Sequence, residues 1–107
     1  MFNKKSTTGY EQPLDKIDRK TIAHGEKTLL SEFLLKKGAQ IPVHSHPHEQ
    51  TGYLVVGKVE LTIGTDVFIA EPGDAWCIHG GVDHSAGALE DSVIIEAFAP
   101  VREDYLP

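Results

Sequence analysis

The 107 residues contain a single cysteine, Cys77, so no internal disulfide can form and nothing points to an oxidising compartment. Basic residues are also scarce: 10 Lys+Arg stand against 16 Asp+Glu, a net charge of −6. With no basic cluster to offset that balance, a phosphate backbone is repelled, which argues against nucleic acid as a partner. No apolar run approaches the roughly 18 residues of a membrane span. Met1–Gln12 lacks the apolar stretch of a signal peptide. The expectation is a soluble, cytoplasmic protein with no membrane partner. Internal repeats, low-complexity tracts and any long amphipathic helical pattern are missing as well.

What the chain does have is one domain's worth of residues, at roughly 100–200 per domain, and a core-forming share of apolar side chains (40%). From Leu29 onward the apolar period is 2, and turn signals recur at short intervals, the rhythm of an all-β domain. Expected strands are Thr28–Leu35, Ile41–His44, Gly52–Val56, Val59–Ile63, Val67–Ala70, Ala75–Ile78, His84–Ala88 and Val93–Phe98. Lys16–Glu26 has room for a short strand. Residues 1–15 read as a flexible arm, and 16–107 as the domain. Glu71-Pro72-Gly73-Asp74 carries Pro and Gly at the two central positions of a type II turn. Gly57 supplies a tight turn. About eight short strands imply a small sandwich or barrel.

The chemistry concentrates in histidine. His44, His46 and His48 lie within five residues, followed by Glu49 and Gln50. On an extended chain, residues two apart share a face, so His44 and His46 project into one space. Gln50 offers an oxygen ligand from the next strand, and His84 a further imidazole from a distant one. Such a mixed N/O set suits Fe, Mn, Ni, Co, Zn or Cu. A solvated histidine loop is the competing reading of the spacing alone.

The flanking glycines make the pattern more specific. Gly38-x5-His44-x-His46-x3-Gln50-x6-Gly57 resembles the first motif of the cupin superfamily, and Gly73-x5-His79-x-Gly81-x2-His84 resembles the second. Gln50 stands where Glu is more common, and His79 where Pro is usual. The resemblance implies a double-stranded β-barrel (jelly roll) and a divalent transition metal (Ni, Fe, Mn, Zn or Co) held by His44, His46, Gln50 and His84. Three neutral imidazoles and an amide leave the ion its full formal charge of +2. That makes it a strong Lewis acid and an anchor for an anionic substrate. His48 is expected at the rim or exposed, and His24 on the surface. His79 and Trp76 are candidates for the substrate pocket.

The tail adds a finer resemblance. His-x-His-Pro-His-Glu-Gln together with Phe98-Ala-Pro-Val-Arg102-Glu-Asp-Tyr105-Leu is similar to the pectin-degradation cupins that act on 4,5-unsaturated uronates. That resemblance implies an enzyme of sugar-acid metabolism, with Glu96, Phe98 and Arg102 lining its site. Asp is usual where Glu96 stands. The strand alternation either turns Ile94, Glu96 and Phe98 inward or leaves Glu96 in water; burying it demands a partner. Alternatives are another metallo-cupin, such as an Fe-dependent dioxygenase or a sugar isomerase, and a non-enzymatic small-ligand or metal-binding module. A homodimer is expected, with the N-terminal arm or Val93–Phe98 near its interface.

Overall fold

The computed structural model describes residues Met1–Pro107. Ten strands follow in order: β1 (Glu11–Leu14), β2 (Ile17–His24), β3 (Leu29–Leu35), β4 (Gln40–His44), β5 (Glu49–Val56), β6 (Val59–Ile63), β7 (Asp66–Ala70), β8 (Ala75–Ile78), β9 (His84–Ala88) and β10 (Ser92–Ala99). A short 3₁₀ turn, Glu103–Tyr105, comes after them. The strands form two antiparallel sheets, ordered β1-β2-β3-β10-β5-β8 and β4-β9-β6-β7. This is the jelly-roll arrangement of an all-β single domain. No helix is long and apolar enough to cross a membrane.

Alternation fills the space between the sheets. On β10, Ser92, Ile94, Glu96 and Phe98 are buried while their neighbours are only partly so. On β5, Gln50, Gly52 and Leu54 turn inward. Leu54 and Ile94 pack with Ile17, Leu35, Ala39, Val59, Ala70 and Ala88 into one apolar cluster. Burial of this kind contributes about 25 cal/mol per Å² of apolar surface. At Gly57, with φ at 101°, a side chain would meet Ser92 Oγ at 2.1 Å, so only glycine lets β5 turn into β6 against the start of β10.

The strands expected from Leu29 onward are all present, with β5 reaching back to Glu49 instead of starting at Gly52. The amino-terminal part differs more. Glu11–Leu14 falls in the expected arm yet pairs with β2 as an edge strand, exposed along its length. Pro13 fits there because an edge strand does not need every backbone N–H. Residues before it also lie on β2: Asn3 Nδ2 donates to Ile22 O at 3.0 Å, and Lys20 Nζ to Ser6 O at 3.2 Å. β10 sits between β3 and β5, so neither of its edges is free for a second copy.

Candidate metal centre and its buried acid

The two sheets each deliver part of one site. His44 and His84 are cross-strand partners on β4 and β9, with ring centroids 4.1 Å apart. His46 follows β4 by two residues and meets His84 edge-on at 4.9 Å. One nitrogen from each of the three rings lies within 4.8 Å of the others. Gln50 reaches the group from β5 on the opposite sheet, its Oε1 standing 2.7 Å from His46 Nε2.

Backbone carbonyls set the tautomers. His44 Nδ1 lies 2.9 Å from Pro42 O, His46 Nδ1 3.0 Å from His48 O, and His84 Nδ1 2.9 Å from Val82 O. A carbonyl only accepts, so each Nδ1 carries the proton and each neutral ring keeps a lone pair at Nε2. Burial lowers the pKa values of His46 and His84. Arg102 reinforces this for His46, and His44 and Arg102 do so for His84, so both rings stay neutral near pH 7. His84 Nε2 is buried with no hydrogen-bond partner. An orphaned buried acceptor of this kind is costly, and a cation repairs it. His46 Nε2 and Gln50 Oε1 are likewise two lone-pair atoms facing each other. Reversing the Gln50 amide relieves them only if Glu96 keeps its proton. Three imidazole nitrogens and an amide oxygen fit a divalent transition metal.

Behind Gln50 lies an acid. Gln50 Nε2 donates to Glu96 Oε2 in a short hydrogen bond. Glu96 is fully enclosed, and burial pushes its carboxyl up to about 7 against the pull of Gln50, Trp76 and Arg102. The strand register explains how the acid is reached: Ser31, Glu96, Gly52 and Trp76 form one row across β3, β10, β5 and β8. Gly52 has no side chain, so the Trp76 indole lies across it toward Glu96; a Cβ there would sit 2.2 Å from the ring. The indole N–H is buried without a close hydrogen-bond partner, near enough to Glu96 to favour its ionised form.

The next row, Leu29, Phe98, Gln50 and Ile78, floors the site. Phe98 is buried and meets the His46 ring edge-on at 5.7 Å. Arg102 closes the top. Its guanidinium lies 5.1 Å from the centre of the Phe98 ring and 3.9 Å from that of Tyr105. It also makes a two-point ion pair with Asp104, at 3.2 and 2.7 Å. Arg19 covers Tyr105 as well, at 3.9 Å. The cavity lined by His44, Gln50, His84, Phe98, Arg102 and Tyr105 holds about 60 Å³, and a neighbouring one of about 170 Å³ shares His44 and Tyr105 with it. The smaller space fits about two waters.

The residues singled out from sequence thus fall into two groups. His44, His46, Gln50, His84, Glu96, Phe98 and Arg102 converge on one end of the barrel, with Trp76 behind Glu96. His48 is half-buried at the rim, its ring 5.6 Å from that of His46. His24 is exposed. His79 lies elsewhere: its side chain is 78% exposed, on the outer face of the sheet, opposite Glu49. Because Ile78 points inward, the residue after it must point out. Arg19 and Tyr105 were not picked out by sequence reasoning. Their stacking joins positions far apart in the chain, and no local spacing signals it.

Comparison with known proteins places this site in a family. A family model for the cupin domain matches residues 31–98. The chain belongs to the cupin domain family. Within that class it is 33% identical over 101 residues to the pectin degradation protein KdgF of Dickeya dadantii, an alignment spanning 92% of each chain. Among solved structures it is similar to KdgF from a Halomonas species, with 31% identity, a TM-score of 0.93, and 99% of this chain and 100% of that one covered. An RmlC-like cupin from Shewanella frigidimarina superposes with a TM-score of 0.89 at 26% identity, covering 94% and 90%.

Proposed function

We propose that the protein is a metal-dependent isomerase that opens the ring of a 4,5-unsaturated uronate and yields the linear keto acid. The observation that carries this reading is the Gln50 amide, whose oxygen faces His46 Nε2 while its nitrogen donates to Glu96. A site for a Lewis-acidic cation is thereby joined to a buried acid–base group, with a guanidinium close by. The likeness to a Dickeya protein named for pectin degradation, and to the KdgF structure from Halomonas that shares its name, supports a sugar-acid substrate.

In this mechanism His44, His46, His84 and Gln50 hold the metal, which supplies Lewis acidity when bound. Arg102 pairs with the substrate carboxylate in a two-point fork, exchanging Asp104 for the ligand. Phe98 supplies the apolar floor under the ring, and Tyr105, held between Arg19 and Arg102, positions the guanidinium. Glu96, enclosed behind Gln50, takes the proton from the anomeric hydroxyl by way of one intervening water as the C1–ring-oxygen bond breaks and the carbonyl forms at C1. It then returns that proton to C4, so the enol becomes a ketone at C5. Every atom of the substrate is retained, and nothing is oxidised or reduced. The smaller cavity of about 60 Å³ is too tight for a hexuronate, so this reading requires Arg102 and Tyr105, which line it, to shift when the substrate enters.

The test is to follow the conjugated absorbance of an unsaturated uronate in the presence of metal-loaded protein. Decay faster than in buffer is expected, and His84→Ala should lose both bound metal and the acceleration. A metal-loaded wild-type protein no faster than buffer ends this reading. We also propose a cytoplasmic homodimer. Val67, Phe68 and Ile69 leave β7 with an apolar, half-exposed edge that a second copy would cover; a monomeric mass in solution would exclude it.

A further inference from the structure

We propose that Glu49, Cys77 and His79 form a second divalent-cation site on the outer face of the six-stranded sheet, separate from the histidine centre. The strand register assembles it. Gln50 pairs with Ile78 and Thr51 with Cys77, which sets Glu49 opposite His79 and Cys77 diagonally across from Glu49. Cys77 and His79 are two apart on the same extended segment and so share a face. All three side chains are exposed, and their ligand atoms lie within 4.8 Å of one another. Cys77 is a free thiol. His79 Nδ1 and Glu49 Oε1 form only a loose, exposed ion pair at 3.4 Å, longer than a usual hydrogen bond, which a cation bound between them would replace.

The donor set defines the ligand class. A thiolate and an imidazole favour Zn²⁺ or Co²⁺ over Mg²⁺ or Ca²⁺, and the carboxylate completes a three-residue set with an open fourth position for water. Thiolate and carboxylate together cancel the charge of a divalent ion, whereas the neutral donors of the inner centre leave it intact. Two sites of opposite electrostatic character therefore lie back to back on β5, with Gln50 pointing in and Glu49 pointing out.

The chain's single cysteine makes the proposal easy to test. Co²⁺ is titrated into the reduced full-length protein while thiolate-to-metal charge transfer is followed in the near ultraviolet. Two equivalents should bind per chain, only one of them giving the thiolate band. Cys77→Ser should abolish the band and one equivalent. His79→Ala should weaken that equivalent by at least about tenfold, the lower bound for losing even an indirect metal contact. His84→Ala should lose the band-free equivalent and keep the band, which separates failure here from failure of the inner centre. Uptake of a single equivalent without a band overturns the proposal. So does a band from two thiols per ion, or one unchanged in a Glu49→Ala, His79→Ala double variant.

Discussion

The two ends of the barrel are built from the same strands but obey different rules. On β10, Ile94 belongs to the apolar cluster, and two residues further along the same inward face Glu96 and Phe98 belong to the site. On β5 the change falls between Leu54 and Gly52. One end is apolar apart from Ser92, whose hydroxyl is satisfied by the backbone at Lys58 and Glu90; the other gathers three imidazoles, an amide and a carboxyl and leaves buried nitrogens of His48, Trp76 and His84 unpartnered. The alternation of the strand decides only which residues point in. Side-chain chemistry then makes one stretch a core and the adjoining stretch a site, with local stability exchanged for reactivity.

That contrast can be broken from either end. The largest effect is expected at the polar end with Glu96→Gln, which keeps the shape and removes the acid. Turnover of unsaturated uronate should fall about 10²–10⁴-fold, the usual worth of a general acid–base group. Metal stoichiometry should stay unchanged, and denaturant melts should show no loss of stability, because a neutral side chain avoids the burial penalty. At the apolar end, Leu54→Ala should lower unfolding stability by about 2–5 kcal/mol, read from the same melts, with metal affinity measured by calorimetry unaltered. If Leu54→Ala weakened metal binding as much as it weakened the fold, the two ends would not be separable. Gly52→Ala sits on the boundary. Its Cβ displaces the Trp76 indole, and overpacking of this kind costs about 1–3 kcal/mol. It should also slow turnover modestly by shifting what lies against Glu96, visible as a fall in kcat with KM little changed.

Much of this architecture was readable from the residues alone. Period-2 alternation marks β3, β5, β6 and β10, where one face meets the core and the other does not, while β4 and β7, with almost nothing buried, are marked only by apolar composition and flanking turns. The same signal fails for β1, where every residue is exposed and no alternation exists to be seen. It weakens for β2, where Ile17 alone is fully buried. The two-residue spacing of His44 and His46 points to a shared face, but Gln50 and His84, from β5 and β9, join the set only through the resemblance of the two flanking motifs to the cupin pattern. His79 and Trp76 stand at opposite strand parities, and only the burial of Ile78 shows which of them faces out. The sandwich of Tyr105 between Arg19 and Arg102 depends on the tail folding back over β2, where Thr21 Oγ1 donates to Tyr105 O. Contacts of that separation leave no periodic trace.

The amide at position 50 links two sites of variation that the chain keeps far apart. Gln50→Glu, the choice more common in the wider superfamily, would press a second carboxyl against the buried Glu96, where two adjacent acids do not both ionise. One of them would have to keep its proton, either losing its hold on the cation or ceasing to serve as a base. Residues 50 and 96 are therefore coupled: exchanging the amide for an acid changes what the carboxyl on the final strand can do.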